Sequence, residues 1–117
     1  MTTKLNLGRD VQGYPVTSLN APQFSDTNFK VTLASGVAQS ITVPSDSSTY
    51  IALFSVGTGT NVWVARNTTA TIPTGTIGAT LSILNPPART VYAGDTLSFV
   101  TDSTTADFGV SLYAIGN

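Results

Sequence analysis

The chain of 117 residues has no cysteine, no histidine and no glutamate, and only 9% of its residues are charged. Each absence removes a class of chemistry. Without cysteine there is no disulfide and no thiolate nucleophile, and the redox compartment stays open because a thiol-free chain works in either. Without histidine the commonest general base and the imidazole metal ligands are missing, and with cysteine absent as well ordinary zinc, copper, haem and iron–sulfur chemistry is excluded. Six aspartates against five basic residues give a net charge of −1. Nucleic-acid proteins draw most of their affinity from Lys and Arg on phosphates. Here Lys4, Arg9, Lys30, Arg66 and Arg89 are scattered along the chain, so no nucleic-acid partner is expected. Apolar runs such as Ile51 to Phe54 fall far short of the ~20 residues that a transmembrane helix needs. No membrane partner is expected, and the first ten residues lack the apolar stretch of a signal peptide, so synthesis in the cytoplasm is expected.

Thr and Ser fill more than a quarter of the sequence, Val and Ile are frequent, and the strong helix formers are scarce, with two Lys and one Met. That composition favours strands and turns. From Val31 onward, short runs of alternating apolar and polar residues end at Gly, Pro, Asn, Asp or Ser, the pattern of half-buried strands punctuated by turns. Eight strands are predicted, at about 30–34, 37–43, 50–56, 61–66, 79–84, 89–92, 96–101 and 108–115. The run Val62-Trp63-Val64-Ala65 is apolar or small throughout, as in a central strand covered on both faces, and Trp63 is assigned to the core. Ser35-Gly36 and Gly57-Thr58-Gly59 read as hairpin links between antiparallel neighbours, Gly94-Asp95 as a tight turn, and Asn67 to Gly78 as a crossover from one sheet to another. The expected fold is all-β: a two-sheet antiparallel β-sandwich of jelly-roll type, with an immunoglobulin-like sandwich as rival. A Cys…Trp…Cys arrangement, which would favour that rival, is missing.

The first residues differ. Leu5, Leu7, Val11, Tyr14, Val16, Leu19 and Phe24 are apolar but interrupted by Gly8, Gly13, Pro15 and Pro22. Residues 1–28 therefore read as an extended N-terminal arm, and residues 29–117 as the sandwich domain. Such an arm either wraps its own sandwich as an edge strand or lies on a neighbouring chain, filling grooves or extending a sheet. In the second case Lys4, Leu5, Leu7, Arg9, Val11, Tyr14, Val16, Leu19 and Phe24 are the expected contact residues, with Lys4 and Arg9 pairing with carboxylates.

Catalytic candidates reduce to Asp10, Asp26, Asp46, Asp95, Asp102 and Asp107. Most of them stand beside turn residues, where Asp accepts bonds from local backbone N–H groups. The loop from Asp102 to Asp107 lacks the ligand density of a calcium site. No Gly-x-Ser-x-Gly or Ser-x-x-Lys occurs, and Gly57-Thr58-Gly59 has neither the third glycine nor the lysine of a phosphate loop. No catalytic residue, metal or cofactor is expected. Trp63 and the tyrosines leave open a carbohydrate- or receptor-binding module of fibre or lectin type.

The run from Val31 to Pro44, the strand Asn61-Val62-Trp63-Val64-Ala65 and the segment Tyr92-Ala93-Gly94-Asp95-Thr96-Leu97-Ser98-Phe99 together resemble small virion proteins of short-tailed bacteriophages. The resemblance implies a non-enzymatic jelly-roll cement or decoration protein. It would work as a homodimer or homotrimer on the capsid surface of the virion, with the major capsid protein as its partner.

Overall fold

A computed structural model describes residues 2–3 and 24–115. Eight strands follow one another: β1 (Thr27–Ala34), β2 (Gln39–Thr42), β3 (Thr49–Val56), β4 (Val62–Arg66), β5 (Ile83–Leu84), β6 (Ala88–Tyr92), β7 (Thr96–Thr101) and β8 (Thr105–Ile115). They form two four-stranded antiparallel sheets, in the orders β1-β8-β3-β6 and β2-β7-β4-β5. The pairings β1 with β8, β2 with β7, β3 with β6 and β4 with β5 are those of one long hairpin closed at β4–β5. Rolling that hairpin up adds the pairs β3–β8 and β4–β7. The result is a jelly-roll sandwich.

This topology corrects three of the expected connections. Ser35-Gly36 and Gly57-Thr58-Gly59 do not join hairpin neighbours, because β1 to β2 and β3 to β4 each pass from one sheet to the other. The glycines are still required there: Gly36 and Gly59 adopt φ of 73° and 78°, a conformation that a Cβ disfavours. Gly57 to Gly59 make a sheet-to-sheet corner in which Gly57 donates to the Asp107 carbonyl at 3.1 Å. Conversely, Asn67 to Gly78 lie in the connection between β4 and β5, which are partners in the same sheet. That connection folds over the outer face of its own sheet. Ala70 is buried there against Ala65 and Val100, and Ile72 packs beside it. Two hydroxyls fasten the cover, Ser98 Oγ accepting from the Ala70 amide at 2.9 Å and Ser82 Oγ from the Thr71 amide at 3.0 Å.

Period-two alternation fills the space between the sheets. Along β8 the buried side is Ala106, Phe108, Val110, Leu112 and Ala114. Facing it are Leu97 and Phe99 of β7 and Val62 and Val64 of β4, and the Phe99 and Phe108 rings tilt together at 5.0 Å between centroids. Such aromatic pairs add roughly 1 kcal/mol beyond their buried area. Strand β4 is covered on both faces as expected, but Trp63 lies on the outer one. It is half-buried beneath the 67–82 connection, with Ala38 and Ile72 in the same cluster.

Candidate functional site

The carboxylates act as structural acceptors. Asp46 Oδ1 accepts from the Tyr50 hydroxyl at 2.5 Å and from Thr2 Oγ1 at 3.0 Å, and Oδ2 accepts from the Thr2 amide. The Tyr50 bond and the Thr2 amide hold the Asp46 carboxyl below its ordinary pKa. Burial, and the same bond to Asp46, push the Tyr50 hydroxyl up. Asp26 accepts from the Thr3 amide at 2.7 Å while its own amide donates to Thr3 Oγ1 at 2.7 Å. Bonding to Thr3 lowers its pKa too. The Ala114 amide adds a bond to the Thr3 carbonyl at 2.8 Å. Thr2 and Thr3 are thus clasped to the sandwich beside the residues that lead into β1. Among the described residues no group of three or more His, Cys, Asp or Glu side chains is placed to hold a metal ion.

The side of the sandwich bounded by β5 and β6 has a different character. Both are edge strands, one in each sheet, and β5 is only two residues long. Its shortness has a local cause. Asn85 takes φ of 46°, and its amide and its Oδ1 engage the carbonyl and amide of Val62, both at 2.8 Å. Pro86 and Pro87 follow and supply no N–H to a ladder. Between the two edges lies a cleft of about 350 Å³. Its walls are the inward faces of Phe54, Val64, Ile83, Val91 and Leu97, continuous with the core.

Two arginines stand at the mouth of this cleft. Strand alternation puts Arg66 on the side of Val62 and Val64, and Arg89 on the side of Val91, and both line the opening. Arg66 reaches Asp95 at 3.6 Å, and its guanidinium lies 5.5 Å from the Tyr92 ring centroid. Asp95 is fixed in turn by the Tyr92 amide at 2.9 Å and by Asn67 Nδ2 at 3.1 Å. Arg89 donates to the adjacent Ala88 carbonyl at 2.6 Å and has no carboxylate partner among the described residues. Beside the mouth, Leu81 is 77% exposed, and Ile83, Leu84 and Tyr92 are each nearly half exposed. The patch combines apolar surface, positive charge and two strand edges that no other described strand pairs.

A second hollow, of about 400 Å³, opens on the outer face of β2 and β7, lined by Gln39, Ser40, Asn67, Thr68, Thr96 and Ser98. No aromatic ring among the described residues lines it, and Trp63 is held under the 67–82 connection instead.

Of the expected contact residues, Lys4, Leu5, Leu7, Arg9, Val11, Tyr14, Val16 and Leu19 lie outside the described residues, and Phe24 is fully exposed. The β5–β6 patch was not among the expected sites. Its signal was present in Leu81, Ile83 and Leu84, whose alternation alone reads as an ordinary strand. No protein-family model matches the chain, and no curated protein or solved structure does so either.

Proposed function

We propose that this chain is a non-enzymatic virion structural protein. It acts as a cement or decoration subunit that binds the outer surface of a phage capsid and stabilises it. The observation that carries this reading is the β5–β6 side, where none of the described residues covers an apolar patch with an arginine-lined mouth. Exposed apolar surface of that kind marks sites of protein association. Engagement of Asp26, Asp46 and Asp95 by backbone and hydroxyl donors supports a binding rather than a catalytic role. On a symmetric shell many copies act together, so individually weak contacts suffice. In this reading the subunits pair as a homodimer or homotrimer, and residues between Lys4 and Phe24 touch a sister subunit or the major capsid protein.

Co-sedimentation with undecorated phage heads tests the reading. Binding at a fixed ratio of subunits to capsid protein is expected, and a protein that stays in the supernatant at saturating concentration overturns it. Replacing residues 4–23 with a short Gly-Ser linker tests the arm while sparing Thr2, Thr3 and β1. Loss of the oligomer or of head binding is expected, and no change in either sinks the arm contact. The hydroxyl-lined hollow on β2 and β7 favours a second reading, a carbohydrate-binding module. Calorimetric titration with neutral glycans decides it, since saturable heats without head binding would replace the cement role.

A further inference from the structure

The open side of the sandwich carries enough chemistry to specify its occupant. Strand β6 pairs with β3 along one edge, and no other described strand pairs with its other edge. An unpaired edge presents a row of backbone donors and acceptors that an extended chain can satisfy by adding a strand. Arg89 and Val91 are the β6 residues that face into the cleft, so an added strand would place its alternate side chains against one cation and an apolar wall. Arg66 adds a second positive charge across the mouth, partly balanced by Asp95 at 3.6 Å.

We propose that the β6 edge and the adjoining cleft bind an extended segment of a partner protein that bears one Asp or Glu opposite Arg89, flanked at alternate positions by apolar residues. This deepens the protein-binding reading above and rests on it. A second copy of the chain docking edge to edge is disfavoured by the same residue. Full antiparallel alignment of two five-residue β6 strands pairs Thr90 with Thr90 and sets the two Arg89 side chains diagonally on one face, about 7–8 Å apart, where their like charges repel. A small apolar carboxylate would fill the cleft but leave the β6 amides and carbonyls unused. An acidic, alternating peptide uses the charge, the apolar walls and the edge together.

The test is fluorescence anisotropy with the labelled heptapeptide Thr-Val-Thr-Glu-Thr-Val-Thr and its Gln-for-Glu counterpart. Each is titrated with the full chain, with Arg89→Gln and, as a control on the opposite edge, with Lys30→Gln. Saturable binding of the Glu peptide to the unmodified chain and to Lys30→Gln is expected, weakening with added salt as an exposed charge pair should. Arg89→Gln and the Gln peptide should each reduce affinity about tenfold, the equivalent of one charge-assisted hydrogen bond. Equal binding of the two peptides, equal binding by Arg89→Gln, or no binding at millimolar peptide overturns the proposal. So does Arg89-dependent binding of decanoate in the absence of peptide binding, which assigns the cleft to a small ligand. Co-sedimentation separates the two levels of the reading. Arg89→Gln that binds heads as well as the unmodified chain defeats the β6 assignment alone, whereas peptide binding without head binding defeats the cement role alone.

Discussion

Tyr50 shows how single residues are used in this protein. Its ring is fully buried, and its hydroxyl both donates to Asp46 and accepts from the Ser47 amide at 2.7 Å. Tyr50→Phe keeps the packing and removes both bonds. A loss of about 1–2 kcal/mol in unfolding free energy is expected, read from urea denaturation. The carboxylates on this clasp carry a pH signature. Asp26 and Asp46 have lowered pKa values in the folded chain, so their contribution is present above the unfolded value of about 3.9. It is lost as pH falls through the folded values. Stability should therefore decline on acidification below about pH 4, and Asp46→Asn should make that decline shallower; an unchanged slope would contradict the clasp. Asp95 was readable from sequence as a turn former next to Gly94, and its carboxylate does accept from the Tyr92 amide. The bonds of Asp46 to Thr2 were not, because Thr2 lies 44 residues away and no local pattern records such a pairing.

At the scale of elements, alternation carried most of the information. The buried side of β8, Ala106 through Ala114, and the doubly covered β4 are direct readings of period-two and continuous apolar patterns. The sheet to which each strand belongs was less legible, since the same Gly-containing turn serves a hairpin or a corner. Gly59 illustrates this, its turn expected from sequence and the connection it makes mistaken. Trp63 failed for a related reason: apolar residues on both faces of β4 show that both are covered, without showing which cover is the opposite sheet. The connection over Trp63 should behave as a separable lid. Ala70→Asp puts a carboxylate into its buried contact with Ala65 and Val100, and displacing the connection exposes the only tryptophan. A red shift of Trp63 emission before global unfolding is expected, and unshifted emission in a folded variant would contradict the lid. The turn at Gly94, with φ of 79° and open space around its Cα, gives a purely conformational case. Gly94→Ala should destabilise by about 1–2 kcal/mol in thermal or urea unfolding.

For the whole molecule, the jelly roll pairs its strands so that sequence-distant β1 and β8 are neighbours, and it leaves β5 and β6 as edges on one side. Strand β5 stops before Asn85, Pro86 and Pro87, and Leu81, Ile83, Leu84 and Tyr92 stay exposed beside the cleft. Charge and hydrophobicity are thereby gathered on one side of a chain that is sparingly charged overall. Sequence alone located the runs that make this side but not their convergence, because Arg66 and Arg89 meet only once β4 and β6 face each other across the cleft. Recognition is proposed to lie on this side. Hydrogen exchange by mass spectrometry, comparing the free protein with the protein bound to undecorated heads, tests that assignment most directly. Slowed exchange across residues 81–92 is the predicted result, and protection confined to the β1–β2 side, with 81–92 unchanged, would contradict it.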